Sequence, residues 1–180
     1  MTDDTVGLQR AALVRLAQGG DIGALEALAR QCGRAVYAIA LAHLGRPADA
    51  EDVAQTVMLA ALENIDACRQ PERFDAWLFS IARNRSRRAI VRSRLREVLS
   101  SEAETVTDPA EPVDGADRQL VLRALGALAS RPREVVLLHD LEGYTHTEIA
   151  DALSITEESS RQHLSRARRQ MRALLEEHEP

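Results

Sequence analysis

The stretch THTEIADALSITEESSRQHLSRARRQM, residues 145–171, decides how this chain folds. Thr145 and Glu148 have the Thr-x-x-Glu spacing of a capping box, in which each side chain satisfies an amide left open at a helix start. Ile149, Ala152 and Leu153 follow at helical spacing. Ser154-Ile155-Thr156 reads as a turn, with Thr156 placed to cap the helix that begins at Glu157. On that second helix Ser160, Leu164, Ala167 and Met171 fall on one stripe, while Arg161, Gln162, Ser165, Arg166 and Arg169 project roughly the other way. A short capped helix, a tight turn and a longer basic helix make a helix-turn-helix, whose second helix fits a DNA major groove. Spacing alone also allows a solvated amphipathic helix on a small bundle, since short helix pairs are common.

Helical periodicity extends back from this element. Leu120, Leu122, Leu125 and Leu128 predict one helix, and Ser130-Arg131-Pro132 opens another through Val135 to Leu138 that ends at Gly143. Further upstream, residues 6–18 predict a helix with Leu8, Ala12 and Leu16 on its apolar face, stopped by Gly19-Gly20. A second helix starts at Asp21, with Ile22, Leu25, Leu28 and Ala29 at helical spacing and a break expected at Gly33. Pro47 suits the first position of a third helix, whose opening acids Asp49, Glu51 and Asp52 favour the positive end of its dipole. A loop over 67–72 contains Pro71, and a fourth helix is predicted over 73–96. Its first half is apolar and carries Phe74, Trp77, Leu78 and Ile81; its second half is rich in arginine.

The expected fold class is therefore all-α: two small helical domains, residues 1–96 and 118–180, joined by a flexible acidic linker over 97–117, the second domain being the helix-turn-helix. Two prolines, a glycine and mostly acidic side chains leave the linker too little apolar surface to order itself. Composition agrees. Aromatic residues are only 3% of the 180, which disfavours strands that want aromatic and β-branched side chains.

Charge is arranged in blocks. Every one of the 23 basic residues is arginine. Residues 83–96 hold seven of them and no acid; residues 97–117 hold seven acids and no base. Residues 118–175 hold nine arginines against seven acids. Two basic regions separated by an acidic strap point to nucleic acid as partner despite a net charge of −5. Seven like charges on one helix repel each other, and phosphates relieve that repulsion. Trp77 and Phe74 suit either the core or stacking on bases.

Other classes find little support. The longest apolar run, 35–42, is eight residues, too short to span a bilayer. Met1-Thr2-Asp3-Asp4 is acidic and polar, so no secretory leader is expected and a cytoplasmic location is. Cys32 and Cys68 are far apart and in no CxxC, which predicts ordinary reduced thiols. The five histidines are scattered without carboxylates at ligand spacing, so neither a metal nor another cofactor is expected. No nucleophile–base pair or phosphate-binding loop is present, and an enzyme is not expected.

Taken in order, four segments resemble the sigma-70 family of RNA polymerase sigma factors, in its extracytoplasmic-function group. Asp49-Ala50-Glu51-Asp52-Val53-Ala54-Gln55 is similar to the family's helix that docks on the coiled coil of the polymerase largest subunit. Residues 73–84, RFDAWLFSIARN, are similar to its promoter-melting helix. Pro132 to Val136 and Glu148-Ile149-Ala150 resemble the start of its minus-35 domain, and Ser165-Arg166-Ala167-Arg168 the end of the recognition helix. The resemblance implies that Asp49, Glu51, Asp52, Val53 and Gln55 bind core polymerase. It implies that Arg73, Trp77, Arg83, Asn84, Arg87 and Arg88 hold the unpaired minus-10 strand. Arg161, Gln162, Ser165, Arg166, Arg168 and Arg169 would bind the minus-35 duplex, with the C-terminal domain touching the second-largest subunit and the linker threading toward the active-site or RNA-exit path. An anti-sigma partner is expected by the same resemblance. Ser154 stands where the family usually has Gly, Ser159-Ser160 where it has Thr and an apolar residue, and His163 where Arg is common. Two other readings remain: a plain helix-turn-helix regulator that works without polymerase, and a sigma mimic that titrates an anti-sigma factor, for which Ser160 and His163 speak.

Overall fold

The computed structural model describes the backbone over residues 3–100 and 116–176 and the side chains over 7–93 and 119–176. Among the described residues there are eight helices and no strand, as the periodicity requires. The first four are α1 (Asp3–Gln18), α2 (Ile22–Leu44), α3 (Pro47–Glu63) and α4 (Phe74–Ser100). The last four are α5 (Ala116–Ala127), α6 (Ser130–Val136), α7 (His146–Leu153) and α8 (Glu157–Glu176).

Local chemistry sets the boundaries. Asp21 caps α2 by accepting the Ala24 amide at 2.9 Å. Gly45 closes it in the left-handed region, φ 73°, with its amide donating to the Leu41 carbonyl at 2.9 Å. Arg46 is extended before Pro47, which takes the first turn of α3. Between α3 and α4 the chain makes two single 3₁₀ turns, Ile65–Ala67 and Pro71–Arg73. Gln18 on α1 ties the first of them down by donating to the Ile65 and Cys68 carbonyls at 3.1 and 2.9 Å. The capping box of α7 forms as expected, and Thr156 caps α8 by accepting the Ser159 amide at 3.1 Å.

Four expectations are corrected. Helix α2 does not break at Gly33: Cys32, Ala35 and Val36 around it are buried, and their packing outweighs the roughly 1 kcal/mol that glycine costs inside a helix. On α1 the buried stripe is Ala11, Val14 and Ala17, whereas Leu8 and Leu16 are 64% and 53% exposed. The buried stripe is the side that packs on α2, which leaves the Leu8 and Leu16 side turned to solvent. Ile22 is 72% exposed, because α2 reaches the core only from Ala24 onward. Finally, α6 passes into a π turn, Leu137–Leu141, rather than running on as α-helix to Gly143. As for the linker expected over 97–117, α4 covers 97–100 and α5 covers 116–117; residues 101–115 lie outside the described residues.

One contiguous apolar cluster runs through both helix sets, from Val14 to Ala167. Phe74, Leu78 and Phe79 on α4 are fully buried in it, together with Leu28, Ile39, Leu138 and Ile149. Both cysteines are free and buried, and burial pushes the Cys32 thiol up to about 12. The sets meet where α6 and the π turn pack on α2 and where α7 packs on α4. Tyr144, just ahead of α7, places its ring 6.0 Å from that of Phe79.

That seam is polar as well as apolar. Glu134 on α6, with 2% of its side chain exposed, lies 2.8 Å from His43 Nε2 on α2 and accepts from Arg131 at 2.6 Å. Arg10 on α1 pairs with Asp75 on α4 and lies 3.4 Å from the Tyr144 hydroxyl. Arg34 and Glu142 add an ion pair at 3.3 Å, and Arg73 and Asp151 another at 3.0 Å. Glu134 is the buried charge among them, and its contact with His43 across the seam restricts how α6 can sit on α2.

Ser154, the αL residue that ends α7, has φ 54° and ψ 52°, a conformation that costs a side-chain-bearing residue energy and costs glycine none. Ser154→Gly should therefore raise stability by about 0.5–1 kcal/mol after the entropy of the freer unfolded chain is subtracted, read as a higher denaturant midpoint at unchanged slope.

Candidate nucleic-acid interface

Three surfaces carry the residues singled out by sequence. On α3, Glu51, Asp52 and Gln55 are exposed, Asp49 is half-exposed and Val53 is partly buried against the core. Asp49 is 3.5 Å from Arg46 one turn back, whereas the Glu51 and Asp52 carboxylates have no partner among the described residues. Ala50, Ala54 and Val57 bury the opposite side of the helix, so the acids are held outward as a rigid row.

The second surface surrounds the start of α4. Phe74 and Leu78 point into the core, and Trp77 lies between core and solvent, its ring 5.7 Å from Phe74. Trp77 thus packs partly against the core and leaves part of its ring toward solvent. With Ala67, Cys68, Arg69, Gln70, Arg73 and Ala76 it lines an open concavity of about 420 Å³, large enough for a planar ring. Beyond it Asn84, Arg87 and Arg88 are exposed along α4. Arg83 is set apart from them. It is half-buried, within electrostatic reach of Glu134 and Arg131, with one buried guanidinium nitrogen that no partner meets. Burial draws its pKa down, an effect opposed by Glu134.

The third surface is α8. Ser160, Leu164 and Ala167 are buried, and Arg161, Gln162, Ser165, Arg166, Arg168 and Arg169 are all exposed, so the polarity read from the sequence holds along the whole helix. Several of these side chains are held in position. Glu157 accepts from Arg161 at 2.7 Å and from the Thr147 hydroxyl at 3.0 Å, which keeps its own pKa below the usual carboxylate range, the threonine contributing most. Glu158 accepts from Gln162 at 3.2 Å. Arg168 makes a forked contact with Asp140 in the π turn, at 2.5 and 3.0 Å, and this lowers the Asp140 pKa. Arg168 is thus bound within its own helix set, while Arg166 and Arg169 are free of any partner among the described residues.

Sequence reasoning passed over Glu157, Glu158, Asp140 and Asp151. The first two were visible as carboxylates four residues ahead of Arg161 and Gln162. Asp140 and Asp151 meet their arginines only through tertiary packing. Sequence also left Ser160 as a hydroxyl stranded on an apolar stripe. It is fully buried, but its oxygen lies 2.9 Å from His146 Nδ1 on α7. The His146 ring lies 4.7 Å from His139, whose Nδ1 is 2.9 Å from Asp140. Burial, then the neighbouring His139, holds the His146 pKa below that of an ordinary imidazole. His163 is depressed too, by burial and by Arg131 and Arg166.

Among the described residues, no group of histidine, cysteine and acidic side chains could hold a metal ion, and no helix is long and apolar enough to cross a membrane.

Comparison with known proteins matches residues 16–96 to the family model for sigma-70 region 2 and residues 118–171 to that for sigma-70 region 4. The chain is 34% identical over 151 residues to a probable RNA polymerase sigma factor, RfaY, of Xanthomonas campestris pv. campestris, an alignment covering 78% of this chain and 38% of that protein. It is 30% identical over 185 residues to the RNA polymerase sigma factor NccH of Alcaligenes xylosoxydans xylosoxydans, covering 98% of each. Identity to the ECF RNA polymerase sigma factor SigL of Mycobacterium tuberculosis is 31% over 168 residues, covering 89% of this chain and 94% of that one. Among solved structures, that of CnrH in complex with the cytosolic domain of CnrY superposes with a TM-score of 0.65 at 26% identity, covering 94% of this chain and 99% of the other.

Because Ser160 has a partner, Ser160→Val should lower stability by about 1 kcal/mol, by leaving the His146 nitrogen without its hydrogen bond. A depressed imidazole contributes stability that is complete above its unfolded value, about 6.5, and is lost as pH falls through the lower folded value. Thermal melts at pH 7.5 and pH 5 should show a fall that is smaller in His146→Gln.

Proposed function

The chain belongs to the sigma-70 family of RNA polymerase sigma factors, in its extracytoplasmic-function group, and we propose that its three surfaces divide initiation between them. The exposed acidic row of α3, Asp49, Glu51 and Asp52 with Val53 and Gln55, engages the largest subunit of core polymerase. Arg73, Trp77, Asn84, Arg87 and Arg88 hold the unpaired minus-10 strand, and Arg83 joins them only if the helix sets shift. The outward face of α8 reads the minus-35 duplex. Residues 1–96 and 118–180 act as the two functional units, with 97–117 as the connection. The protein works in the cytoplasm and contributes no catalytic group of its own, since polymerase supplies the chemistry.

The observation that carries this reading is the geometry of α8. Burial of Ser160, Leu164 and Ala167 turns Arg161, Gln162 and Ser165 outward together, at the end of the helix that enters a groove in helix-turn-helix proteins. Arginine and glutamine there can make paired hydrogen bonds to guanine and adenine edges. Arg166 and Arg169, further along and unpaired, suit phosphates, which set affinity without reading sequence. Melting a duplex costs a few kcal/mol for each base taken out of the stack, and capture of that base in the concavity beside Trp77 offsets the cost.

An anti-sigma factor is a further proposed partner, supported by the likeness to the sigma factor RpoE of Bartonella quintana in complex with the anti-sigma factor NepR, with a TM-score of 0.61 at 26% identity over 86% of this chain and 97% of the other. The sigma-mimic reading leaned on Ser160 as a defect of the recognition helix, and its contact with His146 weakens that support.

Run-off transcription with purified core polymerase on a genomic promoter library tests the reading as a whole, and a mimic would give no transcript. Reversing Asp49 and Asp52 to Arg should abolish co-elution with core, because like charges across an interface repel, and should leave binding to minus-35 duplex intact. Wild-type co-elution would reject the α3 assignment. Across promoter variants, Arg161→Ala should relax preference at one or two minus-35 positions, each worth about 1–3 kcal/mol, whereas Arg169→Ala should weaken all sequences alike and flatten the salt dependence.

A further inference from the structure

The first helix of the helix-turn-helix reaches the outward face of the second through one side chain. Thr147 on α7 donates its hydroxyl proton to Glu157 Oε1 at 3.0 Å, and Glu157 Oε2 accepts from Arg161 Nη2 at 2.7 Å. Three residues on two helices thus form one hydrogen-bonded chain that ends at Arg161. Its other end is fixed on both sides. His146, before Thr147, lies 2.9 Å from the buried Ser160, and Glu148, after it, closes the capping box with Thr145. Helix α7 packs on α8, with Ile149, Leu153 and Leu164 buried.

An acid in the first turn of a helix suits the positive end of the dipole, and that alone accounts for Glu158. It does not account for a carboxylate whose two oxygens join two helices. An arginine beside DNA has long, rotatable reach, and phosphates attract it whatever the sequence. A carboxylate that takes one Nη2 proton leaves the other guanidinium donors open, and their fork still matches O6 and N7 of guanine. The same carboxylate places a negative charge beside the arginine and repels the phosphates that would draw it away. We propose that Thr147 and Glu157 are specificity-determining positioning residues, which aim Arg161 at a guanine of the minus-35 element and act on the base only through it. The proposal rests on the assignment of Arg161 to the minus-35 duplex.

Exposure sets the size of the effect. The Arg161 and Glu157 side chains are 59% and 42% exposed, so their pair adds little to the stability of the fold and its influence falls on base discrimination. Glu158 supplies an internal comparison. It has the same charge on the same helix, but its hydrogen-bond partner among the described residues, Gln162 at 3.2 Å, also belongs to α8. Neutralising either acid removes a negative charge facing DNA and should tighten binding to every sequence. Neutralising Glu157 should also blunt the preference that Arg161 confers.

The test uses the full chain assembled with core polymerase and a pool of templates randomised across the minus-35 element. Counting transcripts by sequence gives the preference at each position, and filter binding of the whole pool gives overall affinity. Arg161→Ala identifies the position that this arginine reads. There, Thr147→Val should lower the preference for guanine about threefold, with the other positions and the overall affinity unchanged. Thr147→Ser, which keeps the hydroxyl, should restore it. Glu157→Ala should lower the preference at least as far and bind the pool more tightly, whereas Glu158→Ala should bind more tightly and leave that position as sharp as before. Circular dichroism confirms that each variant is folded, and Thr147→Ala and Glu157→Gln serve should the first choices fail that test. If Arg161→Ala flattens a position that Thr147→Val and Glu157→Ala leave intact or sharpen, positioning is overturned and readout by α8 stands. Relaxation by Glu157→Ala without Thr147→Val would overturn it too, because Glu157 would then act from its own helix alone. If Arg161→Ala alters no position, the assignment of Arg161 is itself wrong, and the proposal falls with it.

Discussion

A carboxylate almost sealed from water holds the two halves of this protein in one arrangement. Glu134 is taken up by α6 into the interface with α2, where His43 and Arg131 meet its two oxygens. An unpaired charge at that depth would cost several kcal/mol; Arg131 travels with Glu134 on α6, so His43 on α2 is the partner that ties α6 to one docking position. Once it has docked, the π turn follows it onto α2, Tyr144 reaches Phe79, and α7 comes to lie along α4. The relation of the helix-turn-helix to the first helix set depends on that contact. Apolar packing alone, made largely of alanine, valine and leucine, would tolerate several registers.

Electrostatics does different work on each surface. The α3 acids stand clear of neighbouring cations apart from the Arg46–Asp49 pair, which leaves their charge available for steering a large partner. The outward side of α8 is buttressed instead, with Glu157 and Glu158 holding Arg161 and Gln162 and Asp140 holding Arg168. Such acids lower the entropy lost when a side chain is fixed on a base edge, and they also discourage phosphates from capturing it. Arg166 and Arg169 carry no such restraint and remain free to follow the DNA backbone.

Much of this was legible along the chain. The helix-turn-helix, its capping box, the Pro47 start and the outward face of α8 follow from local rules of caps, turns and 3.6-residue spacing, and each is present in the structure. The errors have a common origin. Leu8 and Leu16 form a regular stripe, yet Ala11, Val14 and Ala17 are what α1 buries against its partner helices. Gly33 is a helix weakener by propensity, yet buried neighbours carry the helix through it. Ser160 reads as a misplaced hydroxyl until His146 from the preceding helix arrives beside it. In each case the deciding group lies on another element, and periodicity within one helix holds no information about it.

The sequence by itself determined the class of structure, the eight helices to within a few residues at most ends, the charge blocks and the outward polarity of α8. These depend on backbone propensity, capping and residue type, which act over one or two turns. Only the tertiary structure decided which of the charged groups are free. It withdrew Arg83 into the neighbourhood of Glu134, tied Arg168 to Asp140 and set Asp151 on Arg73. The physical reason is that a charge's partner is set by distance in space: Asp151 and Arg73 are 78 residues apart in the chain and within 3.2 Å in the fold.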